Sequence, residues 1–275
     1  MSLRDKINVA LSQEADSTIK EAMNYSLQAK SKLLRSLIIE AMVQDYGFNK
    51  ELAHTSGVAL EMIQTYSLIH DDLPAMDDDD FRRNQLSNHK KFDEATAILA
   101  GDALLTKAFE VIVDGEYTSD EKVAIIKELS YASGASGMIL GQHFDMSPFY
   151  LTSNNAILKM ISLKTGMLFG AAFAIGAILS HQGDKKDNYR SIGQTLGVAF
   201  QVQDDLLEVE KTESELGKSK SDAKNKKITL LSFKGKEEAQ TICNNAFNDV
   251  FESLSALNDH KHVVALIQSI SKRGY

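Results

Sequence analysis

Apolar residues recur every three to four positions along most of the chain, which predicts a succession of amphipathic helices. In YSLQAKSKLLRSLIIEAMVQDYG, residues Leu33, Leu34, Leu37, Ile38 and Met42 share one face, and Gly47 is the expected stop. LAHTSGVALEMIQTYSLIHDD predicts a second long helix that runs into a cluster of acids. EATAILAGDALLTKAFEVIV predicts a third, and DEKVAIIKELSYASGASGMILGQHFDM a fourth. Two more, NAILKMISLKTGMLFGAAFAIGAIL and NYRSIGQTLGVAFQVQDDLLEVE, carry polar residues inside apolar faces, and two shorter helices are expected after FKGKEEAQ. Runs of β alternation separated by hairpin signals do not appear. Mobile loops are expected at DGEYTSDE and TESELGKSKSDAKNKK. The pattern therefore predicts an all-α bundle, one domain over residues 1–275, with its site in a central cavity between facing helices.

Composition narrows the class. A 43% hydrophobic chain of 275 residues can bury a large core, and only 2 prolines leave its helices uninterrupted. A net charge of -8 argues against nucleic acid, which needs basic stripes. The single Cys243 excludes an intramolecular disulfide and suits a reducing compartment. The charged start MSLRDKINVALSQEAD has no apolar signal core. The most apolar run, Gly166 to Leu179, falls short of the roughly 20 residues of a membrane span, so it reads as a buried helix. A soluble cytoplasmic protein is expected. Histidines 54, 181, 260 and 262 read as surface residues, His70 as a helix-flank residue, and Cys243 as a packing residue.

The chemistry concentrates in HDDLPAMDDDDFRR, which places Asp71, Asp72 and Asp77 around Pro74. Proline cannot continue the helix regularly, so the chain should bulge and return Asp77 towards Asp71. Alone, this run reads equally well as a solvated acidic turn. A second cluster, FQVQDDLLEVE, weakens that reading, because Asp204 and Glu208 share a helical face beside Asp205 in an apolar context. Carboxylates so placed need cations. Two facing oxygen-rich clusters suit Mg²⁺, which fills its remaining positions with water and phosphate oxygens. Basic candidates for phosphate are Lys32, Arg35, Arg82, Arg83, Lys164, Lys218 and Lys227; each alone is more often a surface charge, except Lys164 within ISLKTGMLFGAA.

These two motifs and their order resemble the short-chain trans-isoprenyl diphosphate synthases of bacterial type. HDDLPAMDDDDFRR resembles their first aspartate-rich motif, and FQVQDDLLEVE their second, FQxxDDxxD. YSLQAKSKLLRS occupies the place of their GGKRxRP segment, and EATAILAGDALL, GQHFDM and LKTGML follow in order. The resemblance covers nearly the whole chain and implies an isoprenoid-synthase helical bundle. It also implies head-to-tail prenyl transfer, in which dimethylallyl and then geranyl diphosphate condense with isopentenyl diphosphate in a homodimeric, Mg²⁺-dependent enzyme.

By motif position the resemblance assigns Asp71, Asp72 and Asp77 to metal on one side, with Asp204, Asp205 and Glu208 on the other. Arg82, Lys164, Lys218 and Lys227 would grip the allylic diphosphate, and Thr165 and Gln201 would present oxygens to the developing cation. Lys32, Arg35 and Arg83 would hold isopentenyl diphosphate, with Gln64 where many relatives have histidine. Tyr66, five residues before Asp71 and about 7.5 Å up the helix, would limit tail length together with Ser67. An aromatic ring there implies a farnesyl product, and geranylgeranyl diphosphate is the alternative. The chain departs from the pattern at Lys30, Ser31, Leu33 and Ser36 in the first basic segment, at RRNQLSNH in place of RRGxPTxH, and at Glu208 in place of aspartate. A terpene cyclase, or a non-catalytic subunit of a prenyl synthase, are the rivals from other classes. Retention of Lys32, Arg35 and Arg83 disfavours the first, and retention of Asp204 and Asp205 the second.

Overall fold

Short polar residues open many of the helices. A computed structural model describes residues 1–210 and 228–272. In chain order the helices begin with α1 (Leu3–Val9), α2 (Thr18–Leu27), α3 (Leu34–Asp45), α4 (His54–Asp71), α5 (Asn88–Lys91), α6 (Glu94–Asp114) and α7 (Ser119–Ser133). There follow α8 (Met138–Asp145), α9 (Asn154–Ile161), α10 (Met167–Leu179), α11 (Lys186–Glu210), α12 (Leu230–Lys234), α13 (Lys236–Leu257) and α14 (Lys261–Ser271). Ser2, Ser17, Asp93, Thr118, Ser153 and Thr229 each accept a first-turn backbone N–H, which satisfies donors that a helix leaves open. The architecture is the all-α bundle the periodicity predicts.

Several boundaries differ from that expectation. The first predicted helix is two: the chain leaves helix after Leu27, and Leu33 adopts a left-handed φ of 51° before α3 begins. Lys32 therefore precedes α3, while Arg35 lies in its first turn. The fourth predicted helix is also two, because Gly134 to Gly137 separate α7 from α8. The long apolar helix spans Asn154 to Leu179, within one residue of the predicted run, but passes through an unpredicted π turn at Ser162–Gly166. It is long and apolar enough to cross a bilayer, but 83% of its most apolar window is buried in this protein. The first helix after FKGKEEAQ's start, α13, is long rather than short. A two-stranded hairpin, Phe81–Arg82 with Gln85–Leu86, is an element that the periodicity does not show. Arg83 and Asn84 at its tip both have positive φ, the geometry of a tight hairpin turn, which asparagine tolerates well.

Helix α10 is the centre of the core, packed against α3, α7 and α11, while α4 lies along α6. The expected mobile loop DGEYTSDE is tied down instead. The Tyr117 hydroxyl donates to the Leu52 carbonyl at 2.8 Å and accepts from the Ser56 N–H. TESELGKSKSDAKNKK lies outside the described residues. His54 and His260 are buried, contrary to the surface reading; His54 sits 3.0 Å from Glu40, and His260 bonds Tyr189 at 2.9 Å. Cys243 packs in the core.

Candidate active site

A cleft of about 970 Å³ opens among α3, α4, α6, α8, the π turn and α11. It joins segments far apart in sequence. Asp71, Asp77, Arg82 and Arg83 line it from one side, Thr165, Gln201 and Asp204 from another, and Lys32, Arg35 and Gln64 from a third. Lys164, Tyr66 and Ser67 line it as well.

The first acid loop has the predicted bulge. Helix α4 ends at Asp71, and the chain turns back so that the Asp77 N–H donates to the Asp71 carbonyl at 2.8 Å. Asp72 goes elsewhere. It is 2% exposed, does not line the cleft, and accepts from Arg82 through Nε at 2.9 Å and Nη2 at 2.5 Å. Burial, joined by the charges of Asp79 and Asp71, pushes the Asp72 carboxyl up to about 6 against the pull of Arg82.

Across the cleft, Thr165 Oγ1 donates to Gln201 Oε1 at 3.0 Å, and Gln201 Nε2 donates to Asp205 Oδ1 at 2.8 Å. Asp204 faces the cleft, whereas Asp205 and Glu208 are buried outside its lining. The π turn presents Lys164, whose Nζ bonds Asp145 Oδ2 at 2.6 Å. Burial works to depress this ammonium, but Asp145, Asp71 and Asp77 outweigh it and keep its pKa above the ordinary lysine value. Gly141 allows the approach that sets this turn: a Cβ there would lie 2.2 Å from the Lys164 backbone nitrogen. Asp145, within GQHFDM, carries no assignment in the sequence reading; its only signal is its place in a motif-like segment, because the partner lies on another element.

The third wall holds a buried charge cluster. The Arg35 guanidinium stacks 4.4 Å from the centre of the Phe169 ring. Burial lowers its pKa to about 10, with Glu61 and Asp204 opposing and Arg83 reinforcing. Glu61 lines the cleft near both arginines and was not foreseen; burial raises its pKa against their pull. Ser36, which stands in the family's proline position, donates to Glu61 Oε1 at 3.1 Å and to the Gly57 carbonyl at 2.9 Å. The cleft also has an apolar lining, including Leu105, Met138, Ile139, Met146 and Phe200. Tyr66 is 5% exposed, and burial first, then Asp71, pushes its hydroxyl up to about 12. Lys218 and Lys227 lie outside the described residues.

Carboxylates, cations and an apolar lining in one cleft suit an anionic ligand with a hydrocarbon tail. Among the described residues no three His, Cys, Asp or Glu side chains converge tightly enough to hold a metal alone. A divalent ion here would need oxygens from water and ligand, which is how Mg²⁺ is usually held.

Comparison with known proteins agrees with this geometry. The polyprenyl synthetase family model matches residues 16–268. A farnesyl diphosphate synthase of Micrococcus luteus is 43% identical over 246 residues, covering 88% of this chain and 84% of its own. The chloroplastic geranylgeranyl pyrophosphate synthase 7 of Arabidopsis thaliana is 35% identical over 99% of this chain and 81% of its own. Among solved structures, a geranyltransferase from Helicobacter pylori complexed with magnesium and isoprenyl diphosphate superposes with a TM-score of 0.86 at 28% identity, covering 98% of this chain and 95% of that one.

Proposed function

The chain belongs to the polyprenyl synthetase family, and from that premise we propose that its cleft joins an allylic diphosphate to isopentenyl diphosphate and stops at farnesyl diphosphate. The observation that carries this reading is the meeting of Asp71 and Asp77 with Asp204, Lys164 and Arg35 around one cleft whose lining is partly apolar. The 43% identical farnesyl diphosphate synthase supports the same product.

In this reaction the allylic C–O bond breaks, and diphosphate leaves with the electron pair. The double bond of isopentenyl diphosphate attacks the resulting allylic cation, and a proton is then lost, with the released diphosphate as its acceptor. Arg82 and Lys164 hold the leaving group by charge-assisted hydrogen bonds, and Thr165 and Gln201 turn oxygens towards the developing cation. Lys32, Arg35, Gln64 and Arg83 hold isopentenyl diphosphate, with Glu61 balancing the two arginines. The donor set fits Mg²⁺: Asp71, Asp77 and Asp204 would supply carboxylate oxygens at the cleft, and Asp71 and Asp77, after Asp145, also favour the charged form of Lys164. When bound, Mg²⁺ supplies Lewis-acid neutralisation of the diphosphate charge. The apolar lining excludes water, which would otherwise quench the cation.

The reading extends to a homodimer. Ile98 and Leu99 on α6 are 44% and 50% exposed, an apolar pair that a second copy would cover. Incubating the protein with Mg²⁺, dimethylallyl diphosphate and isopentenyl diphosphate tests the function directly. Fifteen-carbon product supports it, and twenty-carbon product moves the assignment to a geranylgeranyl synthase. Absence of elongation, with a cyclic hydrocarbon formed from a longer allylic substrate, overturns it.

A further inference from the structure

The run Asp77–Asp80 contains more acid than the cleft uses, and its members separate cleanly. Asp77 lines the cleft, Asp78 is exposed in left-handed backbone, and Asp80 pairs with Lys90 at 3.0 Å on the surface. Asp79 is different. Its side chain is 3% exposed, lies outside the cleft lining, and accepts from Arg82 Nη2 through Oδ2 at 3.1 Å. Its N–H donates to the Asp72 carbonyl at 3.2 Å, so the two acids are tied through the backbone as well.

Both buried carboxylates bond the Nε and Nη2 groups of one guanidinium. Asp72 Oδ1 takes Nε and Nη2, and Asp79 Oδ2 takes Nη2 again. Among the described residues Arg82 Nη1 donates to none, and the Arg82 side chain lines the cleft. A guanidinium held at Nε and Nη2 by two acceptors keeps a fixed plane, and its Nη1 side is left as the free edge for a ligand. One cation between two carboxylates leaves the group net negative. Arg82 therefore contributes to anion binding by where its N–H groups point more than by surplus charge.

We infer that Asp79, together with Asp72, is a positioning residue that clamps Arg82 so that its free edge faces the allylic diphosphate. The inference rests on the prenyl-transfer reading of the cleft. It reassigns Asp72 from metal ligand to support, and it gives Asp79 a role that the sequence motif leaves open.

Asp79→Asn and Asp79→Glu separate geometry from charge. Asparagine keeps an acceptor oxygen in place without the charge, whereas glutamate keeps the charge on a longer arm. Steady-state kinetics with geranyl and isopentenyl diphosphates varied separately, and calorimetric binding of inorganic diphosphate with Mg²⁺, give the readouts. The glutamate variant should raise the allylic KM about tenfold, the worth of about one charge-assisted hydrogen bond, and weaken inorganic diphosphate similarly. KM for isopentenyl diphosphate should stay within about twofold, since Arg83 has other neighbours. The asparagine variant should hold the allylic KM within about threefold. A tenfold rise for asparagine, no change for glutamate, or equal rises in both KM values overturns the clamp. If the glutamate variant fails to fold, the asparagine result decides alone. If the unmodified protein does not elongate prenyl chains, the functional reading fails, while the inorganic diphosphate comparison still decides the role of Asp79.

Discussion

At the scale of one residue, Asp71 is the carboxylate on which the proposed function leans most directly. Its carboxylate lines the cleft beside Asp77 and helps keep Lys164 charged, with no core-packing role. Asp71→Ala should abolish turnover while leaving helical circular dichroism intact; loss of helix would show a structural role instead. Tyr66 lines the cleft, and if it limits tail length as proposed, Tyr66→Ala should lengthen the product, read directly by chromatography of the dephosphorylated prenyl alcohols. Cys243 is the opposite case. Burial, followed by the nearby Asp204 charge, pushes its thiol up to about 11. At pH 8 only about one thiol in a thousand is then ionised. A chromogenic disulfide reagent should leave the native protein unlabelled and label it rapidly in denaturant.

At the scale of the element, the π turn is the most consequential local feature. It interrupts an otherwise regular helix and turns Lys164 and Thr165 to the cleft, and α8 can approach it only because residue 141 is glycine. Gly141→Ala should cost about 1–3 kcal/mol through forced displacement. It should reduce kcat by more than the loss of folded protein explains, as measured by comparing kinetics with thermal unfolding. Helix α14 is docked by a carboxylate from another helix: Asp45, at the end of α3, accepts the N–H groups of His262 at 2.7 Å and Val263 at 3.0 Å. Burial works to raise the Asp45 carboxyl, but the His260 ring 3.6 Å away and the bonds from His262 and Val263 outweigh it and hold it below its ordinary value of 3.8. A depressed carboxylate stabilises the fold fully above its unfolded pKa and ceases to do so as pH falls through the lower folded value. Stability from this contact should therefore begin to fall once the pH drops below about 4 and be lost only as it passes through the lower folded value. Asp45→Asn should lower stability at neutral pH by about 1–3 kcal/mol and flatten the acid limb of the unfolding profile.

For the whole molecule, the question is what brings the two acid motifs to one cleft. Asp77 and Asp204 are 127 residues apart in sequence, and only packing of α4 and α11 around the same bundle interior makes them face a shared space. The proposed homodimer is tested at this scale too: light scattering should give about twice the chain mass of 30.3 kDa, and Ile98→Asp with Leu99→Asp should shift it to monomer. A monomeric parent protein would remove the α6 pair as an interface. Much of this was legible beforehand. Helical periodicity marked most of the long helices, and the Pro74 bulge followed from proline's missing N–H. The breaks at Leu33 and at Gly134 to Gly137 were not legible, since both lie inside patterns that remain periodic.

The sequence by itself determined the class of fold, the two acid motifs, the basic residues near them and the chemistry those residue types can perform. These depend on local spacing and side-chain chemistry, which the chain carries in order. Tertiary structure alone decided which acids reach the cleft. Asp71, Asp77 and Asp204 do, while Asp72 and Asp79 turn into Arg82. Adjacent aspartates look alike in a motif, but buried carboxylates such as Asp72 and Asp79 require a counter-charge, and only the folded chain shows which of them share Arg82.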